Sequence, residues 1–117
     1  MTEISGVYLA RLVRSTAVLA LPAEGQITWI MSLGFPRESV RADELTLDFD
    51  DGVRLIPQLV AAGWLRDAAA ERLREIENLL ILMGEQGNGH LWTVGALETA
   101  DEWQAVRAAA LAALLLI

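Results

Sequence analysis

The sequence predicts a mainly α fold: one compact domain over residues 1–117, a helical bundle of about five helices, with a small β-hairpin at 45–56 as a local alternative. Three observations predict it. Of the 117 residues, 54% are apolar, and leucine (20) and alanine (18) far outnumber valine, isoleucine and threonine (21 together). Ala and Leu lose little freedom in a helix, whereas β-branched side chains lose more. Apolar residues recur at spacings of three and four, and Pro22, Gly34, Gly63 and Gly84 fall between those stretches.

Residues 3–20 read as the first helix, with Ile4, Tyr8, Leu12 and Leu19 near one face and Arg11 and Arg14 on another. Pro22 ends it or opens the next element. Residues 24–33 form a short second helix carrying Ile27, Trp29, Ile30 and Leu33, stopped by Gly34 and Pro36. Residues 35–52 are poor in alanine and rich in charge, and read largely as loop. Two readings compete for the stretch from Leu45 to Ala62. In one, Asp50 or Asp51 caps a helix to about Ala62, with Val53, Ile56 and Val60 on one stripe and Pro57 as its defect. In the other, Leu45, Leu47 and Phe49 alternate as a strand, Asp51-Gly52 turns, Val53 to Ile56 returns, and Pro57 opens a helix.

Asp67 is the expected cap of a long helix over 68–83, whose inward stripe is Ala69, Leu73, Ile76, Leu80 and Met83. Glu71, Arg72, Arg74, Glu75 and Glu77 cover its outer face, Gly84 closes it, and 85–90 form a polar loop. Arg66, Arg72 and Arg74 are interleaved with Asp67, Glu71, Glu75 and Glu77, a pattern of surface ion pairs. Thr93 caps a short turn through Leu97. Thr99 and Glu102 have the spacing of a capping box before a last helix from 100 to about 115, which buries Trp103, Val106, Ala110 and Leu114. Trp103 and Trp29 fit core stripes; Trp64 and Trp92 follow loops, where partial exposure is the alternative to the core position expected of each.

Several chemistries are excluded by composition. Without cysteine there is no disulfide, no cysteine zinc cluster and no thiol catalysis. A net charge of −7 gives the chain no electrostatic attraction to nucleic acid, so no direct nucleic-acid contact is expected. His90 is the sole histidine, no Gly-x-Ser-x-Gly elbow accompanies it, and it reads as a mobile surface side chain. Gly84-x-x-Gly87-x-Gly89 follows a helix rather than a strand, and the chain has no lysine, so it reads as a cap and turn rather than a phosphate loop. Counted from Asp48, the glycine of the Asp48–Gly52 segment falls fifth rather than sixth, and Leu59 stands where a calcium loop needs glutamate. No catalytic, cofactor-binding or metal-ligating residue is assigned, and no enzyme is expected.

Charge is uneven. Residues 1–36 sum to zero, 37–85 to −5 and 86–117 to −2. Asp43, Glu44, Asp48, Asp50 and Asp51 place five acids in nine positions, more than a turn and a cap can use. They are the candidate partner-binding residues. The stretch 15–36, whose one charge is Glu24, is broken by Pro22, Gly25, Gln26, Gly34 and Pro36, and the uncharged stretch 108–117 is only ten residues long. A spanning helix needs about 20, and the N-terminus is a poor signal peptide, so a soluble, cytoplasmic protein without membrane contact is expected.

Leu47-Asp48-Phe49-Asp50-Asp51, then Arg54-Leu55-Ile56-Pro57-Gln58-Leu59 and Gly63-Trp64-Leu65, resembles small immunity proteins of bacterial polymorphic toxin systems, including those of contact-dependent growth inhibition. Leu91-Trp92-Thr93, Ala96-Leu97, Glu102-Trp103 and Val106-Arg107 look similar too. The resemblance covers about residues 45–107. It implies a cytosolic protein that binds the C-terminal domain of one cognate toxin, often a nuclease with a basic cleft, and blocks it. A second reading is an acidic helical adaptor or regulatory subunit that self-associates through the apolar run 108–117.

Overall fold

Glycine and proline set where the helices end. The computed structural model describes residues 4–36, 40–85 and 87–117, and within them there are seven α-helices and no strand. They are α1 (Gly6–Ala20), α2 (Ala23–Met31), α3 (Leu47–Val53), α4 (Ile56–Ala61), α5 (Asp67–Met83), α6 (Ala96–Thr99) and α7 (Asp101–Leu114). Two 3-10 turns, Ala42–Leu45 and Gly89–Trp92, precede α3 and α6. The expected helix start at Glu3, the charged residues Arg37 and Glu38, and Gln86 of the polar loop lie outside the described residues.

The mainly α class holds, with more and shorter helices than the five expected. The 45–56 stretch is helical on both sides of a break rather than one helix or a hairpin. Pro57 has no N–H to offer residue 53, so α3 stops at Val53. In the first turn of α4 that missing donor costs nothing. Asp50 and Asp51 accordingly lie inside α3 and cap nothing. Asp67 is the first residue within α5 instead of its cap, with its charge at the positive end of the helix. The capping box does not form: Thr99 ends α6 and donates its hydroxyl to Gly95 O (3.2 Å), and α7 starts from Ala100 without a side-chain cap. Thr93 does cap, accepting from the Ala96 N–H at 3.2 Å.

Helix α7 packs against both α1 and α5, and α3 lies across α1. Two tryptophans fix the direction of α7. Trp103 is fully buried at its start and donates to Leu91 O (2.6 Å). Trp92 donates to Met83 O (2.9 Å) at the end of α5 and meets Trp103 edge to face at 5.4 Å. The start of α7 therefore lies beside the end of α5, and the two run antiparallel. Gln26 and Arg107 do the same for α1. Fully buried Gln26 donates to Leu19 O (3.0 Å) at the end of α1, and its Oε1 accepts from Arg107 Nη1 (3.1 Å) in α7. The same nitrogen donates to Leu97 O at 3.0 Å. Burial lowers the Arg107 pKa from its ordinary value.

The inward stripe of α5 is as read from the sequence, with Ala69, Leu73, Ile76, Leu80 and Met83 all buried. In α7 it is Ala113 rather than Leu114 that is buried. In α1 the stripe rotates: Leu12 and Leu19 are buried together with Ser15 and Thr16, while Tyr8 stays exposed. The two hydroxyls are satisfied locally, both donating to Leu12 O at 3.0 and 2.7 Å. Trp64 departs furthest from expectation. It is 49% exposed and lies over the start of α1, donating to Ile4 O at 3.2 Å. It fits because residue 6 is glycine; a Cβ there would come within 3.0 Å of the indole.

Candidate functional site

Helix α3 is short, and only two of its side chains, Phe49 and Val53, are buried. They are one turn apart and aim the helix at the core. The remaining positions stand out as a ridge. Gly52 brings that ridge close to α1, since a Cβ at this position would approach the buried Leu12 Cδ1 to 3.1 Å. Along the chain the five acids form one cluster; in space the ridge divides them.

Asp48 and Asp51, three residues apart, fall on the α1 flank. They line a groove of about 310 Å³ together with Arg11 and Arg14 of α1, and Tyr8 and Trp29 also border it. Asp43 and Asp50 fall on the other flank, in a groove of about 440 Å³ against α5 that also holds Arg54, Glu77, Leu47 and Ile81. Asp43 is tied by an ion pair to Arg41 (2.9 Å). Glu44 is half-buried and lines neither groove.

The α5 flank is where negative charge concentrates. The Asp50 carboxyl is pushed above its ordinary pKa, first by burial. Arg54 pulls it down, and the like charges of Asp51 and Glu77 push it up again. Glu77 thus belongs with the acid cluster although it lies 26 residues beyond Asp51. No local pattern in the sequence could have paired them, because the pairing comes from α3 packing on α5.

The last turns of α5 carry a second feature that residue patterns alone missed. Ile81 and Leu82 are 60% and 57% exposed. Ile81 borders the groove toward α3. Leu82 borders a groove of about 500 Å³ toward α7, lined also by Glu85, Asp101 and Glu102. Two adjacent aliphatic side chains therefore stand in solvent between carboxylates from α3, α5 and α7. The signal was present as the apolar pair just off the α5 inward stripe, where a solvated face would carry polar residues.

Other expected features are simpler. His90 is exposed in the 3-10 turn before Thr93. Gly87 has a φ of +93°, a conformation that glycine adopts without strain, as a turn requires. Of the interleaved charges, Arg72 and Glu75 are the pair in ionic contact among the described residues, at 3.2 Å. Among the described residues no group of three or more acids and histidines is placed to hold a metal ion, and no helix is long and apolar enough to cross a membrane. No family model matches the chain, and no curated protein or solved structure is significantly similar to it.

Proposed function

We propose that this chain is an immunity protein: it binds a cognate bacterial toxin domain with a basic surface and neutralises it stoichiometrically, without chemistry of its own. The observation that carries this reading is the exposed Ile81–Leu82 pair set among Asp43, Asp50, Glu77, Glu85, Asp101 and Glu102. Tight protein interfaces draw their affinity from a few buried apolar anchors and their association rate from complementary charge around them. An interface of ordinary size buries about 800 Å² per partner, roughly a ninth of the chain's 7114 Å². The surface flanking the end of α5 supplies both ingredients. Within the acid cluster, Asp43 and Asp50 line the groove on this flank with Arg54, whereas Asp48 and Asp51 line the groove that holds Arg11 and Arg14. The contact region is therefore narrower than the cluster on one side and extends to α5 and α7 on the other.

The test is a mixture of this protein with the toxin domain encoded beside its gene. A stable one-to-one complex that abolishes toxin activity is expected. Asp50→Arg with Glu77→Arg should slow association, and Ile81→Ser with Leu82→Ser should speed dissociation. A complex whose kinetics ignore all four changes refutes the surface, and the absence of any complex refutes the function.

One observation favours the second reading, self-association. Leu111 of α7 and Leu115 just beyond its end are 55% and 80% exposed within an uncharged stretch. Sedimentation of the isolated chain decides it: a monomer at all concentrations eliminates the reading.

A further inference from the structure

The groove between α1 and α3 has a different character from the acidic surface on the opposite flank of the same ridge. Its two helical walls carry opposite charge. Arg11 and Arg14 stand three residues apart on α1, and Asp48 and Asp51 stand three residues apart on α3. Side chains at this spacing share a helix face, so each wall presents a pair of like charges into the same space. All four are exposed, and no guanidinium nitrogen comes within 4.0 Å of a carboxylate oxygen across the gap. The fold fixes how the two walls meet: Leu12 of α1 and Phe49 of α3 are both fully buried, and the close Gly52–Leu12 approach sets the crossing of the two helices.

We propose that this groove is a binding site for a small dipolar molecule, one that presents a carboxylate or phosphate to Arg11 and Arg14 and an ammonium group to Asp48 and Asp51. Its volume of about 310 Å³ lies at the small end of the range of roughly 300–1,000 Å³ typical of ligand pockets. Four charges of balanced sign select against simpler ligands. A free anion meets the two aspartates, and a metal cation meets the two arginines. A molecule carrying both signs satisfies both walls, and in a cleft each contact is stronger than in open water. The aliphatic section between its charged ends would lie along Val18, Leu45 and Leu55. Trp29, half-buried, borders the groove and supplies an indole whose resonance reports occupancy. Arg11 already lies 5.8 Å from the Tyr8 ring centroid, which keeps that guanidinium at the groove edge.

The experiment titrates the isolated full-length chain with γ-aminobutyrate and ε-aminocaproate, dipolar probes of two lengths, and with butyrate and butylamine as single-charge controls. Binding is read by calorimetry and by the Trp29 indole resonance. At least one dipolar probe should bind about tenfold or more tightly than either control, the difference made by one charge-assisted contact. Arg14→Gln and Asp48→Asn should each weaken that probe by a similar factor, while Asp50→Asn, on the opposite flank, should leave it unchanged. All three positions are exposed, and circular dichroism confirms that the variants fold. The proposal is overturned if neither dipolar probe moves the Trp29 resonance at about 10 mM, a concentration well above a millimolar Kd. It is equally overturned if the single-charge controls bind as well, or if Asp48→Asn binds like the parent. Toxin binding is not involved in any arm.

Discussion

Arg107→Met is the most informative single perturbation of the fold. The Arg107 side chain reaches from α7 to two acceptors, Gln26 Oε1 at 3.1 Å and Leu97 O at 3.0 Å. Gln26 is fully buried and spends its amide N–H groups on Leu19 O and Val18 O. Methionine keeps most of the aliphatic volume but donates nothing. It leaves the Gln26 oxygen without a partner, and each buried acceptor so stranded costs about 1–3 kcal/mol. Removing the partly desolvated guanidinium returns part of that, since its lowered pKa shows that burial disfavours the charge. A net loss of about 2 kcal/mol results. For a chain of this length, an unfolding entropy near 2.1 cal/mol/K per residue turns that loss into a Tm decrease of about 8 °C. Thermal unfolding followed by circular dichroism measures it. The cycle with Gln26→Leu is sharper. Once the oxygen is gone, Arg107→Met should cost much less, giving a coupling of at least about 1 kcal/mol. A Tm change within about 1 °C, or strict additivity in the cycle, would refute the inference that one arginine ties α1, α2, α6 and α7 together.

Three further outcomes rest on the same geometry. Gly52→Ala gains helix propensity but drives a Cβ toward buried Leu12, so chemical denaturation should show a net loss of about 1 kcal/mol; a gain would mean that α3 can lift off α1 freely. Trp103→Phe removes the donor to Leu91 O from a fully buried site and should cost about 2–4 kcal/mol in the same assay; a loss below about 1 kcal/mol would contradict its anchoring role. Asp50 has a folded pKa raised above 3.8, so the folded state holds its proton more tightly and the group's contribution to stability falls as pH rises through the interval between the two values. Asp50→Asn should therefore stabilise at neutral pH, by at most about 0.5 kcal/mol because the site is largely solvent-screened. The advantage should vanish in acid, below the ordinary carboxylate range; an advantage independent of pH would show that charge is not its source.

The inward faces of α5 and α7 were legible because their residues repeat at helical spacing over many turns, whereas in α1 buried Ser15 and Thr16 took the place expected of Tyr8. The α5 stripe could be read residue by residue, and α7 needed only the exchange of Leu114 for Ala113. Short elements were not legible in this way. At 45–56 helix and strand patterns fit equally few residues, and the decision fell to Pro57, whose missing donor both ends α3 and suits the start of α4. Thr99 and Glu102 showed how a local motif can lose to its neighbour: Thr99 was already committed to closing α6. Of the candidate surface, the acids were visible but their partition was not. Which flank each carboxylate takes depends on Phe49 and Val53 pointing inward, and which charge it meets depends on the packing of distant helices. Trp64 was missed for a related reason. Its seat is the empty side of Gly6, 58 residues earlier in the chain.

Two indoles meeting at 5.4 Å and 85° interact as coupled electronic transitions as well as packed rings. One is seated on the carbonyl that ends α5, the other inside the first turn of α7. Their near-ultraviolet dichroism therefore registers the seam between α5 and α7, and Trp64, half in solvent, reports separately through its emission colour. The polypeptide thus carries two native optical gauges, one for its centre and one for its rim, and unfolding or complex formation can be followed at each without attaching a dye.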